Sequence, residues 1–131
     1  MENNGEIRRK VYDALKPLLP APEKWQRVIF RADYAEGSYG MKYYVEMEDG
    51  KVVDCFSFPD LSASTVTDVF IDINDSILSE CRNRLPEEDR WSVIIITINR
   101  DGSSQVELEY VDLSEQVVSN IVNWEKERGL I

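Results

Sequence analysis

Between residues 6 and 19, Ile7, Val11, Leu15 and Leu18 recur at helical spacing with charged residues opposite them. That pattern predicts an amphipathic helix. Pro17 tightens or ends it, and Pro20 and Pro22 stop it. The period then shortens to that of a strand. Across 25–35, Val28, Phe30, Ala32 and Tyr34 share one face, and Glu36, Gly37 and Ser38 make a turn. Across 39–48, Tyr39, Met41, Tyr43, Val45 and Met47 alternate with Gly40, Lys42, Tyr44, Glu46 and Glu48. This reads as a half-buried strand whose second face is wet. Asp49 and Gly50 are a hairpin signal leading to a strand over 51–58, closed by Pro59.

The longest helical pattern covers 65–85. Thr65 and Asp68 resemble a capping box, and Val66, Phe70, Ile73, Ile77 and Cys81 form the buried stripe. The segment 86–89, Pro-Glu-Glu-Asp, ends it. Within 91–99 lies an unbroken aliphatic and β-branched run, Val93 to Ile98, which suits an interior strand covered on both faces. Asp101 and Gly102 signal a second hairpin. Across 104–111, Val106, Leu108 and Tyr110 alternate with Gln105, Glu107 and Glu109. Asp112 and Glu115 can cap a last helix running through Trp124, with Gly129 at its C-cap. The order is αβββαββα. The expected fold is a single α+β domain over residues 1–131, with a five-stranded, mainly antiparallel sheet and helices packed mainly on one face.

Charge changes this picture from fold to partner. The chain has 25 acidic and 15 basic residues, no histidine, and a net charge of −10. Residues 1–31 hold seven basic and four acidic side chains, so the remaining hundred residues carry eight basic against twenty-one acidic. Such a body repels nucleic acid and anionic membranes and attracts basic proteins; acidity also serves solubility. No apolar run approaches the roughly 20 residues that span a bilayer, and the N-terminal stretch lacks an apolar signal region. A soluble, cytoplasmic protein is expected, with Cys55 and Cys81 as reduced core thiols.

Several chemistries are excluded outright. Without imidazole there is no Ser–His or Cys–His nucleophile and no histidine zinc site. The two cysteines lack paired-thiolate spacing, and no glycine-rich phosphate cradle occurs. No catalytic residue, metal or cofactor is expected. Asp68, Asp72 and Asp75 fall at i, i+4 and i+7, on one face of the long helix. A solvated face is preferred to a cation site there, and a contact surface for a basic protein is the third reading. Tyr44, Glu46 and Glu48 on the wet strand face, and Glu87, Glu88 and Asp89 after the helix, complete the candidate contacts. Trp25, Trp91 and Trp124 are expected as core or core-edge anchors.

The ordered set Pro20…Trp25, Tyr43-Tyr44, Asp49-Gly50-Lys51, Trp91, Asp101-Gly102, Val106 through Leu113, then Trp124 and Leu130, resembles the YezG-like family of immunity proteins over about residues 6–131. The resemblance implies an antitoxin that neutralises the toxin domain of a bacterial polymorphic or contact-dependent system, often a nuclease, by covering its active site or substrate groove. It implies no catalytic residues. A nuclease presents a basic surface to phosphates, which the acidic body here complements. The free chain is expected to be a monomer or weak homodimer. Small acidic proteins of this element order also resemble the dimeric chaperones that escort secreted effectors, which is the alternative reading.

Overall fold

The structure, a computed structural model, describes residues 4–113 and 117–130. Helix α1 (Asn4–Leu15) turns Ile7, Val11 and Leu15 inward, and a 3-10 turn at Lys16–Leu18 adds Leu18. Pro17 sits in the first turn of that 3-10 segment, where a missing N–H is tolerated. Strands β1 (Trp25–Ala35) and β2 (Ser38–Met47) pair antiparallel, with Phe30 opposite Tyr43 and Ile29 opposite Tyr44. Strand β3 (Val52–Asp54) is shorter than the 51–58 pattern implies. The Asp54 carboxylate accepts from the Phe56 N–H at 2.9 Å and the Ser57 hydroxyl at 2.8 Å, which turns the chain away from the ladder.

The long helix comprises α2 (Ala63–Ile73), a π-helical turn at Asn74–Leu78 and α3 (Ser79–Asn83). Its cap is Ser62, not Thr65. The Ser62 hydroxyl accepts from the Thr65 N–H at 3.2 Å, so the first turn begins two residues earlier and Asp68 plays no part in it. The expected stripe holds except at its last member, Cys81, which is only half-buried. Val66, Phe70, Ile73 and Ile77 are buried, and the wider π turn brings Leu78 in beside Ile77.

Strands β4 (Val93–Asn99) and β5 (Ser104–Glu109) complete a five-stranded sheet of order β3-β2-β1-β4-β5, with every neighbouring pair antiparallel. β4 is interior, as its aliphatic run predicts. Ile94, Ile96 and Ile98 face one side and Val93 and Ile95 the other, all buried. The first side packs against α1 and the long helix and holds the larger core. The second is covered by α4 (Val117–Glu127), through Ile121, Trp124 and Leu130. Gly129 ends α4 at φ +68°, with the Leu130 N–H bonded to the Glu125 carbonyl at 2.9 Å and the Gly129 N–H to Lys126 at 3.2 Å. These two bonds make a Schellman cap with Gly at its left-handed position. The expected cap at Glu115 lies outside the described residues.

The helices therefore lie mainly on one face, with α4 alone on the other. That single placement overturns one expectation. The second face of β2 is not wet, and Tyr44 is only 1% exposed.

Candidate functional site

The expected contact residues separate into three environments. Asp68 and Asp72 are exposed on the outward side of α2, and Asp75 is exposed in the π turn that follows. Asp72 accepts from the Ser76 hydroxyl at 3.2 Å and Asp75 from the Asn74 amide at 3.2 Å. Among the described residues no cation pairs with these three carboxylates. Glu87, Glu88 and Asp89 form an exposed 3-10 turn beyond α3. Glu46 and Glu48 are already engaged. Glu46 pairs with Arg27 at 3.1 Å and Glu48 with Arg100 at 2.6 Å. Glu46 also shares the α4 side of β2 with Tyr44 by strand parity, so the sheet lies between it and the carboxylates of α2. One docking surface cannot unite them. Among the described residues no three carboxylates or thiols converge in a way that could hold a metal ion, and neither cysteine is in a disulfide.

Tyr44 belongs instead to a polar network sealed beneath α4. Its hydroxyl donates to Glu125 at 2.6 Å, and the Lys42 ammonium reaches the same oxygen at 2.9 Å. Beside it, Arg31 is 1% exposed and pairs with Asp33 at 2.5 Å. Arg31 also donates to the Asn120 side chain at 2.5 Å and lies 5.3 Å from the Trp124 ring centre. Burial pushes the Asp33 carboxyl above its ordinary value, opposed by the Arg31 guanidinium and the Gly40 backbone N–H. Burial raises Glu125 too, but the Tyr44 hydroxyl and Lys42 ammonium outweigh it and hold the carboxyl below its ordinary range. Burial together with the Glu125 hydrogen bond drives the Tyr44 hydroxyl far upward. A Cβ on Gly40 would come 2.9 Å from the Asp33 carboxylate, so only glycine lets β2 pass that close to the ion pair.

Sequence reasoning missed Arg31, Asp33 and Glu125. One signal was present: Arg31 and Asp33 stand two apart in the middle of an apolar strand, so they share a face. These carboxylates are enclosed and paired, which suits holding α4 in place.

The third environment is a groove of about 770 Å³ between α1, the segment after α3 and β5. Leu85, Trp91, Leu108 and Tyr110 supply apolar lining, with Glu88 and Asp89 at its rim. Cation contacts hold its wall. Arg82 donates to the Trp91 carbonyl at 2.7 Å and lies over the Tyr34 and Trp91 rings at 5.0 and 5.9 Å, while Arg90 donates to the Leu85 carbonyl at 3.0 Å. Burial lowers the Arg82 pKa from its ordinary value. Tyr110 stands 62% exposed at the mouth. An apolar groove rimmed by Glu88, Asp89 and the Glu80-paired Arg84 can bind a partner's side chains; among the described residues it holds no nucleophile–base pair.

Compared with protein-family models and with curated proteins, the chain matches none. Among the described residues, no helix is long and apolar enough to cross a membrane.

Proposed function

We propose that this protein is a cytoplasmic immunity protein of the YezG-like kind, which binds and neutralises the basic toxin domain of a polymorphic or contact-dependent system. It acts by association, without catalysis or cofactor. The observation that supports this reading is the sorting of carboxylates by their partners. Glu46 and Glu48 each have a cation partner within the chain, Arg27 and Arg100, whereas Asp68, Asp72 and Asp75 project from a helix anchored by a buried stripe and pair with no cation among the described residues. Unpaired charge on a rigid support is what steers a basic partner and stays available at contact. Tyr44 is withdrawn from the contact surface because it is buried, and the 87–89 turn remains in it.

The test is co-expression with the C-terminal domain of the protein encoded immediately upstream, scored by growth protection and by association rate. The triple reversal Asp68→Lys, Asp72→Lys, Asp75→Lys should slow association and weaken protection, and the wild-type rate should fall steeply with salt. Glu46→Lys should leave protection intact. Full protection by the triple variant would move the interface elsewhere.

The groove gives a specific reason to keep a second reading, that of a dimeric chaperone escorting an effector segment. Light scattering on the free chain separates the two, since a stable dimer favours the chaperone.

A further inference from the structure

Strand β5 is an edge of the sheet. Its inward bonds fix which of its backbone groups are taken. The Asn99 N–H bonds to the Ser103 carbonyl at 2.8 Å, and the Ser92 N–H to the Glu109 carbonyl at 2.8 Å. With the register of Val93 opposite Glu109 and Thr97 opposite Gln105, odd-numbered residues of β5 face β4. Ser104, Val106 and Leu108 therefore direct their N–H and C=O groups outward. Arg8 occupies the Ser104 carbonyl at 2.8 Å. Among the described residues, Val106 and Leu108 remain as an open pairing edge. The side chains sort by parity as well. Val106 and Leu108 lie on the main-core side, where Leu108 and Tyr110 line the groove. Gln105, Glu107 and Glu109 lie on the opposite side, where Glu107 already pairs with Arg128 at 2.6 Å and Glu109 pairs with no cation among the described residues.

We propose that this edge and the groove beside it accept an extended polypeptide segment in which apolar and basic residues alternate. The inference rests on the reading of this chain as a binder of basic proteins and names a second contact mode for it. An added strand would bond to Val106 and Leu108. Its side chains on one face would sit beside Leu108 and Tyr110 and enter the groove, and those on the other would sit beside the open carboxylate of Glu109 and the Glu107–Arg128 pair. Glu88 and Asp89 at the groove rim add attraction for the same basic segment, and the cation that also lines the groove, Arg84, is paired with Glu80. Charge also decides against a second copy of this chain. Antiparallel pairing of two β5 edges would bring together two copies of a chain of net charge −10, with Glu109 of each at the seam, which like-charge repulsion opposes.

The test uses blocked synthetic heptapeptides: one alternating Lys and Val, one alternating Glu and Val, and one with the Lys and Val residues in two blocks. The alternating Lys–Val peptide should bind best. It should slow amide exchange at Val106 and Leu108 by at least about tenfold, leaving the odd-numbered amides of β5 as they are. It should also slow alkylation of Cys81 in the groove; the other cysteine, Cys55, is fully buried, with burial pushing its thiol up to about 11. Val106→Pro removes one outward donor and leaves the β4 ladder intact, so it should weaken binding with an unchanged near-UV spectrum. Glu109→Lys should weaken it independently of that backbone change.

No binding at about 1 mM, or equal binding of all three peptides, would overturn the proposal and leave Glu107 and Glu109 as guards against edge aggregation. Protection of Val106 and Leu108 in a peptide-free dimer would overturn the choice of occupant. Failure of the peptides would leave the helix-based toxin reading standing. Peptide binding without toxin protection would sink that reading instead.

Discussion

Tyr43 and Tyr44 are neighbours in β2, both almost fully buried, and they meet opposite chemistry. Tyr43 points into the larger core, where its ring meets Phe70 edge-on at 6.1 Å and its hydroxyl has no hydrogen-bond partner among the described residues. Tyr44 points under α4, where its hydroxyl bonds Glu125 and its ring lies 5.6 Å from that of Trp124. The two faces are built on different principles. The α1 side is sealed by aliphatic and aromatic packing, which is tolerant of detail because it is non-directional. The α4 side combines a smaller apolar cluster with Arg31, Asp33, Lys42 and Glu125, and its stability depends on every charge keeping its partner. A face of the second kind is easier to unseat by one substitution or by a change of pH.

The largest effect should come from Arg31→Ala, which leaves Asp33 buried and unpaired. Loss of about 3–5 kcal/mol is expected, as for breaking a buried pair from one side, and urea denaturation would measure it. A loss below about 1 kcal/mol would mean the network is only ornamental to an apolar fold. Ile96→Ala on the opposite face should cost about 2–5 kcal/mol by leaving a cavity in the larger core, with a single cooperative transition by both circular dichroism and tryptophan fluorescence. The sharpest comparison is the tyrosine pair. Tyr44→Phe should lose about 1.5–3 kcal/mol with its bond to a charged group, whereas Tyr43→Phe should be neutral or slightly stabilising because no protein partner is lost. Equal costs at the two positions would erase the distinction between the faces.

The smallest effect is in pH. The carboxyl of Glu125 is held below its ordinary value near 4.5, so its contribution is present above that value and is lost as pH falls toward the depressed one. Asp33, raised above its ordinary 3.8, works in the opposite sense, with the folded state taking up its proton earlier than the unfolded chain. Protection of α4 amides, measured relative to intrinsic exchange rates, should therefore fall below about pH 4.5, ahead of β4, and Glu125→Gln should flatten that profile. Simultaneous loss of α4 and β4 protection would show that the two faces open as one unit.

Much of the fold was legible along the chain because each segment writes its own period. The stripe Val66, Phe70, Ile73 and Ile77, the aliphatic run of β4, the glycines at 50, 102 and 129, and the αβββαββα order all follow from local pattern. Boundaries slipped where a side chain competed with the backbone, as at Ser62 and Asp54. The candidate site was legible as composition and less so as geometry. Asp68, Asp72 and Asp75 stand exposed as their spacing predicts, but nothing in the alternation of β2 revealed that Glu46 meets Arg27 or that Glu48 meets Arg100, since those partners are distant in sequence.

Periodicity determined which residues of each segment share a face, because side-chain direction is set by the local backbone. It could not determine what covers that face. Lys42, Tyr44 and Glu46 read as wet because polar residues alternate with apolar ones, and such a face is stable against water or beneath a helix bearing complementary charges. Only the return of the chain across the sheet, bringing Asn120, Trp124 and Glu125 over Arg31 and Tyr44, chose between those two. The same long-range step left β5 as an edge, and so decided which backbone groups remain open to a partner.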